Sequence, residues 1–280
     1  MKKPIILVIS ILILSVSFVL AWNPNFQVAE VVPSDGHAIV RIPENAVQVA
    51  PGIFSLGISR DVDGSLIEGY AIVKYKKGFE HKSTNKQGGF RGNELTTQCF
   101  SFLASGAKWK VRENYIVNPS NNVGLDELFI RSNLVSDIQE WENAAGKDIF
   151  GDEVNGSVNI ESIGKVANGQ NEVVFGSINN AGVIAVTYVW GVFSGPLKNR
   201  RLVEWDQIYN QVDFSWNTNG NPNDMDFENI AQHELGHSFG LGHPSDSCTE
   251  ETMFRFASEG ETKKRDLNVG DIAGIKKLYN

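Results

Sequence analysis

Cysteine is scarce in this chain of 280 residues. Cys99 and Cys248 are the only two, which excludes a disulfide-dense mini-protein and a four-cysteine zinc module. Basic clusters are missing too. The densest are Lys198–Arg201 and Lys263–Arg265, and 33 acidic residues outweigh 25 basic ones for a net charge of −8. A protein that binds nucleic acid needs a positive surface to displace counterions, so a nucleic-acid partner is not expected. No internal repeat and no low-complexity tract is visible, which argues against a solenoid. Beyond the first 21 residues no apolar stretch is long enough to span a bilayer. What is there is ordinary globular composition, 41% hydrophobic and 21% charged, which rules out wholesale disorder and a collagen-like rod.

The first 21 residues have the pattern of a secretory signal. Lys2 and Lys3 precede an apolar run from Ile5 to Leu20, broken only by Ser10, Ser15 and Ser17, and ending at Val19-Leu20-Ala21. Basic residues, an apolar stretch and a small residue at the end are what a signal peptidase reads. As a helix the run is roughly 24 Å long, short of the ~30 Å hydrocarbon core. The alternative is an uncleaved N-terminal anchor. Either way the rest of the chain is exported, secreted or held at the cell envelope, and cysteines there can persist as a disulfide.

Residues 22–95 read as a small β-rich N-terminal module or a propeptide. Ile53–Ile58 and Leu66–Val73 flank Asp61-Val62-Asp63-Gly64, which is the pattern of a hairpin. That turn resembles part of a calcium loop, but no glutamate follows at the required spacing. Calcium therefore remains open without support. Residues 76–94 read as an exposed loop and 96–107 as a connector. From Lys108 the pattern changes. Trp109–Val117 alternates like a strand. Leu125–Ala145 places Leu128, Phe129, Leu134, Val135, Ile138 and Trp141 at helical spacing. Val158–Ile160, Glu172–Phe175, Val183–Trp190 and Arg201–Tyr209 are strand-like, and a second helix begins near Asp226. This order is an α/β layout in which helices pack on one sheet.

Three of the five histidines fall within eleven residues, His233-Glu234-Leu235-Gly236-His237-Ser238-Phe239-Gly240-Leu241-Gly242-His243. On a helix His233 and His237 lie one turn apart on one face, so both rings can point at one ion. Glu234 projects close to the same face, within reach of a water at the ion. Gly240 can take the positive φ that stops the helix and returns His243 as a third ligand. Three neutral imidazoles leave a fourth position open, as in a catalytic zinc site.

These eleven residues resemble the extended zinc signature of the metzincin metallopeptidases. The resemblance extends to Met253, which implies the methionine of a tight turn below the metal. It also takes in Gly270–Tyr279, similar to the terminal helix of the matrixin branch, where Ile272, Ile275 and Leu278/Tyr279 recur at helical spacing. The implied fold is an α/β (α+β) metzincin-like catalytic domain over 108–280. It would contain a mixed twisted sheet, a long backing helix, an active-site helix and a C-terminal helix. Departures from the family pattern are Pro244 after the third histidine, Gly270 in place of an aspartate, and Val186 in place of a histidine that would hold a second zinc. One catalytic zinc is therefore expected. Val183, Ile184, Ala185 and Val186 look like the substrate-flanking strand, expected at a sheet edge where an extended peptide can add.

The resemblance implies a secreted zinc endopeptidase acting on protein or peptide, expected as a monomer, with Glu234 as general base. Two alternatives stand beside it: a secreted zinc-binding or adhesive module with a silent site, and a zinc hydrolase acting on other bonds. The cysteine of a matrixin propeptide switch has no counterpart at Thr96-Thr97-Gln98-Cys99-Phe100. Cys99 and Cys248 form a disulfide, remain free thiols, or leave Cys99 to block the zinc. Export favours the disulfide, and in the matrixin-like fold the chain before the first catalytic strand runs near the terminal helix.

Overall fold

The structure, a computed structural model, describes residues 39–40, 46–79 and 98–280. The signal run and the stretches 22–38, 41–45 and 80–97, including His37 and His81, lie outside the described residues. Eight strands follow one path across the main sheet. In chain order they are β1 (Val47–Ala50), β2 (Ile53–Arg60), β3 (Leu66–Lys76), β4 (Glu113–Val117), β5 (Phe150–Glu153), β6 (Asn171–Ile178), β7 (Val183–Val192) and β8 (Arg201–Asn210). Their order in the sheet is β1-β2-β3-β7-β8-β6-β4-β5. The strands from β8 to β5 run parallel, whereas β7 is antiparallel to β8 and the hairpin β2–β3 continues the antiparallel half. A short strand β9 (Phe256–Ala257) adds parallel to the end of β3.

Three helices accompany the sheet: α1 (Glu127–Ala145), α2 (Phe227–Ser238) and α3 (Val269–Tyr279). Each starts where a side chain satisfies an orphan N–H. Asp126 accepts from Phe129 and Asp226 from Asn229, while Asn268 and Asp271 form a capping box. Such caps contribute about 1 kcal/mol each. Gly146, left-handed at φ 67°, ends α1. One apolar core gathers between the helices and one sheet face, around Trp141, Trp205, Phe227 and Phe239. A second lies on the opposite face, around Phe54, Val73, Val186, Tyr188 and Ile163. The strand β7 is buried on both faces, which suits an apolar run with little polar alternation.

The mixed α/β architecture agrees with the expected fold, and the 53–73 hairpin forms. Two local readings differ. The strand expected over 109–117 begins only at Glu113. Val158–Ile160 is not a strand: Asn159 accepts from the Glu161 N–H with its side chain and from the Ser162 N–H with its carbonyl. An asparagine that bonds the backbone two residues on offers a turn in place of a ladder.

Cys99 and Cys248 are joined by a disulfide, with Cα atoms 5.5 Å apart and a sequence separation of 149. The segment beside Cys99 lies on α3. A side chain at Gly270 would collide with the Cys99 carbonyl, and one at Gly274 would approach Phe100 to 2.8 Å. The glycine at 270, unusual for the family it resembles, is thus what lets the bridged segment dock. Thiol titration of the unfolded, unreduced protein should find no reactive thiol. The Cys99→Ser/Cys248→Ser double variant should lose about 2–5 kcal/mol in denaturant unfolding, since the bridge closes a long loop. Two reactive thiols per chain would contradict the bridge.

Candidate metal centre

The local sequence of α2 dictates the arrangement of its ligands. Asp226, itself buried, caps the helix and is held by the Arg265 guanidinium, whose Nε donates to Oδ1 at 2.9 Å. Trp141 of α1 donates its indole N–H to the Gln232 carbonyl at 3.0 Å, so the backing helix fixes the turn that carries His233. After Ser238 the chain turns at Gly240, φ 103°, where a side chain would be strained. The reversal brings His243 back to the other two histidines, as the spacing implied.

The three rings converge through Nε2. The His237 nitrogen is 3.0 Å from that of His233 and 3.1 Å from that of His243. Each Nδ1 instead faces a main-chain carbonyl: Thr252 at 2.6 Å from His233, Leu241 at 2.9 Å from His237, and Pro51 at 3.0 Å from His243. A carbonyl only accepts, so each Nδ1 carries the proton and each Nε2 presents a lone pair. Burial holds His233 and His237 well below the usual histidine range and lowers His243 to about 3. Three neutral rings pointing lone pairs at one spot repel unless a cation sits between them. Tetrahedral zinc at ~2.0–2.1 Å from each nitrogen would set them about 3.3 Å apart, a small expansion. The donor set therefore fits zinc, and among the described residues it is the one group of three or more metal-ligating side chains gathered closely enough to hold an ion.

Glu234 lies beside this cluster. The Thr187 hydroxyl donates to its Oε2 at 2.5 Å, while Oε1 is buried with no hydrogen-bond partner among the described residues. Burial raises the carboxyl to about 7, against the opposing pull of Thr187 and Lys74. A carboxylate poised there can take and return a proton near neutral pH.

Met253 lies against Gly236 of α2, where a side chain would collide with its sulfur and with the Trp141 ring. Asp271 of α3 was missed by the sequence reading. It is fully buried and accepts from the Thr252 N–H at 2.7 Å and from the Met253 N–H at 3.1 Å. It thereby fixes the turn whose Thr252 carbonyl orients His233. Its N3 position in a capping box was a visible signal for the cap, but not for the bonds to the turn.

Val183, Ile184, Ala185 and Val186 lie in β7, close to α2 through Thr187. They do not form a free edge: β7 is bonded to β8 on one side and to β3 on the other. Cys99 and Cys248 are tied to each other. Lys74, which carried no signal in the sequence, is fully buried beside the site. Its Nζ is 2.9 Å from His233 Nδ1 and donates to the Phe254 carbonyl at 2.6 Å. Burial, and then Lys264, push this amine well below the ordinary lysine range.

Comparison with known proteins points the same way. The matrixin family model matches residues 178–280. A stretch of 55 residues is 46% identical to Metalloendoproteinase 1-MMP of Arabidopsis thaliana, covering 20% of this chain and 14% of that protein. Another of 62 residues is 40% identical to matrilysin of Homo sapiens, covering 22% of each. A third, of 57 residues, is 39% identical to Metalloendoproteinase 4-MMP of Arabidopsis thaliana, covering 20% and 15%. The chain thus spans between 14% and 22% of the length of these relatives. With the three-histidine cluster, the turn at Met253 and the terminal helix α3 in place, the chain over residues 178–280 is a matrixin-like metzincin.

Proposed function

We propose that the chain is a secreted zinc endopeptidase whose catalytic domain spans 108–280 and works as a monomer. Residues 1–21 would act as the signal, 22–95 as an N-terminal module and 96–107 as a connector. The observation that carries the reading is the placing of three neutral imidazoles beside a buried carboxylate oxygen, Glu234 Oε1, that has no hydrogen-bond partner among the described residues.

His233, His237 and His243 would hold one zinc through Nε2. Zinc, when bound, supplies Lewis-acid polarisation of the scissile carbonyl and lowers the pKa of water toward about 7. The chain's own residues do the rest. Glu234 accepts the water proton at Oε1 and returns it to the leaving amine. The Thr187 hydroxyl holds Oε2, so the carboxylate cannot swing away. Val183–Val186 of β7 would pair with an extended peptide once a free edge is available. The Nδ1 bonds to Thr252 and Leu241 keep two ligands aimed without help from the N-terminal hairpin.

The decisive variant is Glu234→Ala. It should bind zinc at the unsubstituted stoichiometry and cleave casein at least about a hundredfold more slowly under identical treatment, the usual worth of a general base. Equal rates would remove Glu234 from the chemistry. Thr187→Val keeps the shape and deletes the bond to Oε2. It should lower kcat by about tenfold, the equivalent of one charge-assisted hydrogen bond, with KM little changed. A change in KM alone would assign Thr187 to substrate binding.

A further inference from the structure

The strand β3 does more than widen the sheet. On one side it is bonded antiparallel to β7 from Glu68, opposite Gly191, to Tyr75, opposite Val183. On the other side it follows β2 as far as Val73, whose N–H donates to the Gly52 carbonyl at 2.8 Å. It then changes partner. The Tyr75 N–H donates to the Arg255 carbonyl at 3.1 Å and the Lys77 N–H to the Ala257 carbonyl at 2.8 Å. Residues 74–77 therefore lie in a slot between β7 and the segment that follows Met253.

At that change of partner Lys74 turns its side chain toward the metal ligands, with Nζ against Phe254 and His233. The turn Pro51-Gly52 closes over the third ligand. Its Pro51 carbonyl accepts from His243, and a Cβ at Gly52 would come within 3.1 Å of the His243 ring. The result is that His233, His237 and Glu234 are 0% exposed and His243 is 9% exposed. No peptide bond can reach Glu234 Oε1 while the hairpin is in place.

We infer that residues 47–76 are an intramolecular plug: β3 occupies the slot an extended substrate would take, and Lys74 fills the pocket a substrate side chain would fill. The inference rests on the peptidase reading above. Two features mark the hairpin as a removable occupant. First, β7 keeps β8 as a sheet partner when β3 leaves, and the backbone acceptors on His233 and His237 belong to the catalytic unit, so the site survives the loss. Second, the strand carries a lysine into a fully buried place where one main-chain carbonyl accepts from it, a costly choice for a permanent core strand. The block does not use a cysteine, because Cys99 is already bonded to Cys248.

The test uses the zinc-loaded full chain and two variants that loosen the plug. Gly69 faces Trp190 so closely that any side chain collides with the indole, so Gly69→Val should push β3 off β7. Lys74→Ala empties the pocket. Thermal unfolding checks that both are folded. Access to the metal is read without catalysis, by acetohydroxamate binding and by the rate at which a chelator strips zinc. Both readouts should rise at least tenfold in each variant, and peptide cleavage should rise with them. If the parent chain binds acetohydroxamate and loses zinc as fast as both folded variants, there is no plug. If metal access rises tenfold and no peptide is cut, the plug stands and the peptidase reading falls.

Discussion

Three imidazole lone pairs held about 3 Å apart repel one another, and a cation between them converts that repulsion into bonding. Much of the catalytic half of the protein serves to keep those lone pairs aimed. The means is the proton on each Nδ1, anchored to a main-chain carbonyl, which fixes the tautomer and the ring plane together. Two of the anchors come from the loops that follow α2, and the third from the N-terminal hairpin. The loops are held in turn. Asp271 grips the turn at Met253, Met253 packs against Gly236, and Trp141 ties α1 to the backbone of α2. A change at Asp271 would thus be felt at His233 through Thr252, without touching the ring.

The same low-dielectric packing sets the chemistry of Glu234. Burial raises its carboxyl to about 7, and Thr187 and Lys74 pull it back. The carboxyl is tuned by two strands from different parts of the chain, β7 and β3, which meet only in the folded sheet. While β3 stays, the site is assembled and enclosed. Assembly and access are therefore separate properties, which lets an assembled three-histidine site coexist with closure by β3.

Much of the three-histidine site was legible in the sequence because its signals are local. His233, Glu234 and His237 share a helix face, Gly240 turns the chain, and His243 follows within the same eleven residues. The helix start at Asp226 and the hairpin turn at Asp61–Gly64 are likewise short-range. What could not be read depends on contacts far apart in sequence. Lys74 lies 159 residues from His233, and Pro51 lies 192 from His243. Neither carries a local pattern that marks a partner to a histidine. The strand at Val183 did carry a signal against a free edge, since an apolar run without alternation suits a strand covered on both faces. The resemblance to the matrixin branch led the other way, because it says nothing about what β3 does in this chain.

X-ray absorption at the zinc edge of the loaded full-length protein tests the central claim most directly. Three imidazole nitrogens and one further nitrogen or oxygen at about 2.0–2.1 Å, with no sulfur, are expected. A sulfur scatterer near 2.3 Å, or fewer than three imidazoles, would contradict the account.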